Sequence, residues 1–252
     1  MSETVISVRG LTMGFGDHVV MKDLDFDIGK GEIFVILGGS GCGKSTLLKH
    51  MVGLYKPMSG TIAIAGMLMD PDDGETFRRI LARIGVMYQG GALFSSMTLG
   101  ENVALPITEY SGLRGRAVDD LVRLKLRQVG LEGFENHLPE ELSGGMKKRA
   151  AIARALALNP EILFLDEPSA GLDPISSAEL DALILRLNRT LGTTFVVVTH
   201  ELSSIFTIAG RVVMLDKTTK SIIAEGDPHE LRDRSTHPFV RRFFNRQPEM
   251  ET

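Results

Sequence analysis

The feature that most constrains this chain is a glycine-rich segment at residues 38–45. It matches the pattern G-x-x-x-x-G-K-[ST] and lies between an apolar run, residues 33–37, and a helix-forming run that begins at Thr46. In this strand–loop–helix context the pattern forms a phosphate-binding loop. Glycines allow several backbone N–H groups to point at one anion, at the positive end of a helix dipole. We therefore predict that the chain binds a nucleoside triphosphate.

Three side chains of the loop are interpreted individually. Lys44 is expected to bind the outer phosphates through a charge-assisted hydrogen bond, and the Ser45 hydroxyl is expected to bind Mg²⁺. Cys42 is the only cysteine, so an intrachain disulfide is excluded, and we interpret it as a small residue tolerated in a tight loop of a reducing compartment. The residues predicted to contact the nucleotide are Gly38, Gly39, Ser40, Gly41, Cys42, Gly43, Lys44, Ser45 and Thr46.

Composition narrows the classes of function. The chain has 252 residues and a net charge of −4 with both signs interspersed, which argues against a nucleic-acid partner. The first residues are acidic and lack the apolar core of a secretory signal. No apolar stretch approaches the length of about 18–20 residues that spans a bilayer. We expect any membrane contact to be made through another subunit.

Hydrophobic patterning predicts an α/β fold. β-branched runs broken by turn residues over residues 4–28 predict a small antiparallel sheet ahead of the nucleotide core. Strands then alternate with helices, which predicts a mainly parallel sheet covered on both faces, with a helical insertion at about 90–160. The predicted strands are 32–37, 61–66, 84–89, 162–165, 194–198 and 212–215, and the predicted helices are 76–83, a stretch marked by Leu121, Leu124, Lys125 and Gln128, then 144–158 and 179–191.

Two carboxylates follow the apolar strand at 162–165. Asp166 and Glu167 are expected at the carboxyl edge of the sheet, where α/β proteins bind ligands. We predict that Asp166 holds Mg²⁺ through water, and that Glu167 polarises the attacking water and accepts its proton. The alternative for Glu167 is a surface carboxylate that pairs with a cation.

Polar residues also end two other strands. His200 follows the strand at 194–198 and could contact the terminal phosphate; the alternative is a structural histidine. Gln89 ends the strand at 84–89 and could reach Mg²⁺ and the attacking water. Each of these interpretations is weak without the phosphate loop.

A second anion site is predicted at residues 143–145. Ser143, Gly144 and Gly145 open a helix, with free N–H groups and a hydroxyl at its positive end. One triphosphate already has a complete cradle in the phosphate loop. Two copies of the chain that enclose the nucleotide would explain the second cradle, with each copy offering 143–145 to the γ-phosphate bound by the other. The alternative is a helix N-cap without a ligand.

With residues 142–146, Leu-Ser-Gly-Gly-Met, the chain resembles the ATP-binding cassette (ABC) family. The segment is similar to that family's signature motif, which most often ends in Gln. The resemblance implies that the nucleotide is ATP and that the fold is a P-loop ABC ATPase with an antiparallel β subdomain and a helical subdomain. It identifies residues 38–45 as the Walker A motif, 162–166 as Walker B, Glu167 as the catalytic base, Gln89 as the Q-loop, 170–173 as the D-loop and His200 as the switch histidine.

Two further residues are compared with the family pattern. Phe15 lies between two glycines and resembles the aromatic residue that stacks on adenine; the alternative is a hairpin aromatic packed into the core. Gly39 departs from the family, in which proline is common after the first glycine, and this change should loosen the start of the loop slightly. The resemblance implies that ATP is held by Phe15, residues 38–46, Gln89, Asp166 and a second copy's 143–145, with Mg²⁺ on Ser45, Gln89 and, through water, Asp166.

A finer resemblance is to the ATPase subunits of Mla/Mce-type lipid transporters. It rests on residues 89–94, on Asn102 and Pro106, on Met146 and on residues 173–175. It implies phospholipid movement between two membranes, docking of transmembrane permease subunits through the region 90–106, and accessory or lipid-binding subunits. The tail that contains Phe239 and Phe243 either docks on the other protomer or packs as a terminal helix on its own domain.

We therefore expect an ATP-hydrolysing homodimer at the cytoplasmic face of the inner membrane, peripheral to its permease. The expected domains are an ABC ATPase domain at 1–235 and a C-terminal tail at 236–252. One alternative is the ATPase of an importer for another small solute. The other is a soluble ABC protein that acts on nucleic acid or ribosomes, although such chains usually carry two cassettes, a coiled-coil insertion or a basic surface.

Overall fold

The computed structural model describes residues 3–247, so the last five residues of the expected tail, 248–252, lie outside the described residues, as do residues 1–2. The described residues form two compact units, 3–77 with 196–247, and 78–195. The strands of the described part are β1 (Thr4–Phe15), β2 (His18–Gly29), β3 (Ile33–Gly38), β4 (Ser59–Ile64), β5 (Met67–Leu68), β6 (Ile84–Met87), β7 (Ile162–Asp166), β8 (Thr194–Val198), β9 (Arg211–Asp216) and β10 (Ser221–Gly226).

Nine α-helices occur between residues 3 and 247, together with a short 3₁₀ turn at Pro139–Glu141. The helices are α1 (Lys44–Met51), α2 (Gly74–Leu81), α3 (Leu99–Tyr110), α4 (Arg116–Gln128), α5 (Gly144–Ala155), α6 (Pro174–Leu191), α7 (Leu202–Ile208), α8 (Pro228–Arg234) and α9 (Pro238–Phe244). None of the helices in the described range is long and apolar enough to cross a membrane.

The first unit contains the predicted antiparallel sheet, with strand order β2-β1-β4-β5. Along β1 the buried Val8 faces Phe26 of β2 and Ile62 of β4, so one face of the sheet supplies core. Alternating buried and exposed residues in β1 and β2 explain this one-sided burial. The prediction of an antiparallel sheet over residues 4–28 is confirmed.

A second sheet in the first unit supports the phosphate loop. Its order is β10-β9-β3, and the end of β8 follows. β3 pairs in parallel with β9, and all six β3 residues are buried, as expected for a strand covered on both faces. β10 runs antiparallel to β9, so the sheet is mixed. β10 and the short helices α7 and α8 were not predicted.

In the second unit, β7 lies between β6 and the start of β8. β6 and β7 are parallel, with Met87 opposite Leu165, and all of β7 is buried. The helices α3, α4 and α5 fall within the stretch predicted to be helical. A capping box fixes the start of α3, since Thr98 and Glu101 bond to each other's backbone N–H groups.

Several helices differ in detail from the prediction, among them α2, which spans Gly74–Leu81 rather than 76–83. α6 begins at Pro174, five residues early, because Asp173 caps its first turn and proline fits the first helical position. α5 ends at Ala155 rather than at 158. The buried residues of α4 are Val118, Val122, Lys125 and Leu126. Of the residues that marked the predicted stretch, only Lys125 is among them, and Leu124 is exposed.

The C-terminal helix α9 packs on the first unit. Val240 and Phe244 are its buried residues, and the Phe244 ring lies 5.7 Å from the ring of Phe206. The expected terminal helix therefore exists, and its fully buried residues are Val240 and Phe244 rather than Phe239 and Phe243. Both of those rings are only half-buried.

Candidate nucleotide-binding site

The phosphate loop joins β3 to α1 and is shaped by close backbone approaches. A Cβ atom at Gly38 (φ 150°) would lie 2.4 Å from the carbonyl oxygen of Leu215, and one at Gly43 (φ 97°) would lie 2.8 Å from Cγ1 of Val20. Only glycine fits these two positions. The first turn of α1 carries no acidic side chain, so its positive end fits a phosphate.

Lys44, the first residue of α1, is buried against its own loop. Its Nζ donates to the carbonyl oxygens of Gly38 at 2.9 Å and Gly39 at 3.1 Å. These acceptors are neutral, so they orient the ammonium group without cancelling its charge, which suits a group that meets a phosphate. Burial raises the pKa of the neighbouring Cys42 thiol, which keeps it protonated and agrees with a packing role.

Phe15 lies at the end of β1 and is 50% exposed. Its ring meets Tyr55 edge-on, with centroids 5.3 Å apart. Core packing, the alternative interpretation of Phe15, is therefore wrong. The hairpin that carries Phe15 also lies beside the phosphate loop, because Met13 and Val20 are the nearest side chains to a Cβ placed at Gly43.

His200 is exposed just beyond β8, in the first unit. The preceding residue, Thr199, donates its N–H to the carbonyl of Ile36 at 3.3 Å. This bond places the carboxyl ends of β8 and β3 next to each other. His200 and the phosphate loop therefore follow adjacent strand ends.

The second unit brings three predicted residues to one edge. Asp166 ends β7 and Glu167 follows it, and the two side chains are 5% and 8% exposed. Because Met87 pairs with Leu165 in parallel strands, the exposed Gln89 shares that edge with both carboxylates. Glu167 has a φ of 46°, a conformation uncommon for residues other than glycine.

The segment 143–145 opens α5 as predicted. The Ser143 Oγ accepts a hydrogen bond from the Met146 N–H at 3.2 Å, which confirms Ser143 as the N-cap. A Cβ at Gly144 would lie 3.4 Å from Cδ2 of Leu172 in the D-loop segment. The first turn of α5 has no acidic residue, so this helix end also suits an anion.

One residue near these groups was missed from the sequence. Lys148 is 9% exposed, and its Nζ donates to the backbone carbonyls of Gln89 and Glu167. Helical periodicity could have predicted that Lys148 is buried, because it lies three and four residues before the buried Ala151 and Ile152 on the same helix face.

The predicted Mg²⁺ ligands differ from a dedicated metal cage. Among residues 3–247 no group of three or more His, Cys, Asp or Glu side chains could hold a metal. A hydroxyl, an amide oxygen and a buried carboxylate are hard oxygen donors, and Mg²⁺ is usually bound by one or two protein groups together with substrate phosphates and water. Ser45, Gln89 and Asp166 fit that chemistry.

The departure at Gly39 has a structural neighbour. A Cβ there would lie 3.6 Å from Cζ of Phe239 on α9. This is an ordinary van der Waals distance, so the C-terminal helix covers the start of the phosphate loop. Phe239 limits the space into which the start of the loop could move, and the predicted loosening at Gly39 stays a prediction.

This fold and these motifs define an ABC ATPase cassette, and the comparisons agree. The sequence profile of the ABC transporter family matches residues 21–170. The chain therefore belongs to the ABC transporter family, in which it is an ATP-hydrolysing cassette. The prediction of this family, of its fold class and of its enzyme class is confirmed.

Two relatives extend over almost the whole chain. The "probable ribonucleotide transport ATP-binding protein mkl" of Mycobacterium leprae is 41% identical over 95% of this chain, which spans 68% of that protein. The "intermembrane phospholipid transport system ATP-binding protein MlaF" of Haemophilus influenzae is 38% identical over 92% of this chain and 87% of its own length. The predicted similarity to Mla-type ATPases is confirmed.

One solved structure shows a related cassette as a dimer. The ATP-binding cassette MJ0796, in a post-hydrolysis state bound to ADP and Pi, has a TM-score of 0.78 and 32% identity. The match covers 88% of this chain and 98% of MJ0796.

Proposed function

We propose that this protein is the ATP-hydrolysing subunit of a membrane transporter that moves phospholipid between an inner and an outer membrane. The assignment of phospholipid as the cargo is supported by the 38% identity to the phospholipid-transport protein MlaF over 92% of the chain. ATP hydrolysis is supported by membership of the ABC family and by the N-terminal ends of α1 and α5, neither of which has an acidic residue in its first turn. The protein acts at the cytoplasmic face of the inner membrane, bound to its permease.

The proposed role of each site residue follows the family pattern. The first unit supplies the loop 38–46, with Lys44 on the phosphates, Phe15 on adenine and His200 on the γ-phosphate. The second unit supplies Gln89 and Asp166 for Mg²⁺ and Glu167 as the base. When bound, Mg²⁺ neutralises charge on the phosphates. Glu167 takes the proton from the attacking water, and Lys44 stabilises charge on the outer oxygens.

A second copy of the chain completes the site. Residues 143–145 are an N-terminal helix end without acidic neighbours, in addition to the phosphate loop. We propose that this end binds the γ-phosphate held by the other copy, so ATP closes the pair and hydrolysis reopens it. The dimeric, ADP- and Pi-bound state of MJ0796 supports this arrangement.

A groove in the second unit is the proposed permease site. It has a volume of about 610 Å³ and lies between β6, the segment after Gln89 and α3. Its lining is mainly apolar, and it includes Phe94 and Tyr110, which are 50% and 70% exposed. Clustered exposed apolar side chains are typical of protein–protein contacts.

Local bonds hold one wall of this groove rigid. The buried Asn102 side chain bonds to both backbone groups of Phe94, at 2.8 and 3.1 Å. Arg154 donates to the Ala92 carbonyl and lies over the Phe94 ring, 5.8 Å from its centroid. A preformed wall lowers the entropy cost of docking a helix of the permease. Accessory and lipid-binding subunits would join through that permease.

The cargo is tested by purifying the intact assembly from membranes through a tag on this chain. We expect co-purified permease and bound phospholipid, identified by mass spectrometry. Bound ribonucleotide or another solute would replace the cargo assignment, and co-purified ribosomes or nucleic acid would reject a transporter.

Groove variants test the docking surface. Tyr110→Glu should abolish co-purification of the permease while ATP binding is retained, because it places a charge among apolar contacts. Leu68→Glu is the matched control, since Leu68 is 53% exposed but lies in the other unit, outside the groove. Retained permease in the Tyr110 variant would contradict the proposed surface.

A further inference from the structure

The signature helix α5 carries a buried cation that no motif assigns. Lys148 lies one turn after Gly144, and its side chain points away from solvent. The neighbouring Lys147 is exposed. Burying an ammonium group is costly unless hydrogen bonds compensate, so the position of Lys148 requires specific partners.

Those partners lie next to the two residues that act on Mg²⁺ and water. The Lys148 Nζ donates to the backbone carbonyl of Gln89, and it contacts the backbone carbonyl of Glu167 at 3.4 Å. All three residues belong to the second unit. One side chain therefore connects the signature helix to the Q-loop and to the peptide that follows the proposed base.

The Glu167 peptide has a particular need for such support. Its φ of 46° is sparsely populated by residues with a side chain, and such conformations persist only where surrounding contacts hold them. Two donors reach its carbonyl, the Ala170 N–H at 3.2 Å and Lys148. Pro168 follows directly and restricts the backbone further.

The electrostatic surroundings agree with this placement. Burial lowers the pKa of the Lys148 ammonium group, while the negative charges of Glu167 and Asp166 act in the opposite direction. Both carboxylates are thus close enough to feel the charge on Lys148.

We propose that Lys148 is a positioning residue that links the signature helix to the Glu167 and Gln89 peptides. This inference rests on the proposed function, in which Glu167 acts on water and Gln89 on Mg²⁺. When α5 is drawn to a γ-phosphate, Lys148 holds Glu167 and Gln89 at a fixed distance from it. Without that link the nucleotide still binds, but the base and the Q-loop lose their alignment for the attack of water.

The test compares four versions of the chain in the tagged membrane assembly: wild type, Lys148→Met, Lys148→Arg and Lys147→Met. We expect Lys148→Met to lower kcat about tenfold or more, since a hydrogen bond to a charged group is lost at two carbonyls. ATP affinity should stay within about threefold, because the phosphate loop is untouched. Lys148→Arg, which keeps two donors, should retain most of the activity, and Lys147→Met should match wild type.

Several results would overturn the proposal. These are wild-type kcat in Lys148→Met, a loss of ATP affinity as large as the loss of kcat, or equal losses in the Met and Arg variants. If Lys148→Met does not fold, Lys148→Gln replaces it; Gln is too short to serve both carbonyls and should be slower than Arg, and equal rates overturn the proposal. Absent turnover in the wild type would instead reject the proposed function.

Discussion

The two units each bury a lysine against backbone carbonyls, and the difference between the two lysines is instructive. Lys44 bonds to Gly38 and Gly39, which are six and five residues away in the same loop. Lys148 bonds to Gln89 and Glu167, which are 59 and 19 residues away. The hydrogen bonds of Lys44 lie within one motif. Those of Lys148 form only after three separate segments of the chain have folded together.

This difference parallels the proposed division of work. The residues around Lys44 are proposed to hold the nucleotide, and their contacts lie within one loop. The residues around Lys148 are proposed to act on water, and their contacts involve the signature helix. Variants of Lys44 and Phe15 should therefore weaken ATP binding, whereas variants of Glu167 and Lys148 should lower turnover at saturating ATP while ATP binding persists.

Glu167→Gln should have the largest effect. It removes the proposed base, so turnover should fall about 10²–10⁴-fold. ATP binding should persist, and ATP should trap a dimer that size-exclusion chromatography detects. Glu161→Gln is the control, because Glu161 is an exposed carboxylate paired with Arg83. Loss of ATP binding in Glu167→Gln would break the comparison between the units.

Lys44→Ala should lower turnover about 10²–10³-fold, as expected when one donor to a developing charge is removed. Unlike the Glu167 variant, it should also weaken ATP binding, which an ATP titration measures. Lys30→Ala, at an exposed lysine that pairs with Glu3, is the control. Unchanged ATP affinity in Lys44→Ala would remove Lys44 from the site.

Lys125 is a third buried lysine, and it belongs to none of the motifs. It is fully buried in α4, its Nζ donates to Asn159, and burial lowers its pKa to about 8. The unfolded state therefore binds more protons between about pH 8 and 10.4, so the free energy of unfolding should rise with pH by at most about 3 kcal/mol in that window.

Lys125→Met should flatten this rise and increase stability at pH 7, without changing kcat. Urea unfolding of both chains at pH 7 and pH 10 measures the effect. Asn159 is exposed and can bond to water once the lysine is removed. An equal pH dependence in the two chains would show that Lys125 titrates normally.

Phe15→Ala should change ATP binding but not turnover at saturating ATP. Half-exposed in the structure, Phe15 contributes little to the core, so stability should hardly change. Loss of stacking should weaken ATP binding about tenfold, with kcat unchanged at saturating ATP. Phe15→Tyr should retain the affinity. If the alanine variant binds ATP as well as wild type, Phe15 is not the adenine contact.

Local features of the fold were predictable because their causes are local. The Ser143 cap, the strand before the phosphate loop and the strand before Asp166 each follow from a short run of residues. Short elements without such runs, such as β5, β10 and α8, were missed. The sequence does contain a signal for the early start of α6: Asp173 is a capping residue, and Pro174 after it is favoured at the first helical position.

Non-local features were not predictable from one sequence. The buried face of α4 depends on which helices pack against it, so Val122 is buried while Leu124 is not. The exposure of Phe15 depends on how the β1–β2 hairpin packs against its neighbours, including Tyr55. The partners of Lys148 depend on register between β6 and β7. In each case the sequence shows the residue type and only the folded chain shows its neighbours.

The central claim is that each ATP is hydrolysed between two copies of the chain. The direct test mixes two inactive variants. Lys44→Ala disables a phosphate loop. Gly144→Asp places a carboxylate where the other copy's γ-phosphate is proposed to bind, at a helix end that tolerates the new Cβ and the negative charge.

Each variant alone should turn over at least about a hundredfold more slowly than wild type. When the two variants are coexpressed in equal amounts, half of the two-fold dimers contain one chain of each kind. Each of these mixed dimers has one fully wild-type site and one site with both changes. About a quarter of the wild-type rate should therefore return. A mixture no more active than its two parents would contradict hydrolysis at a site shared by two chains.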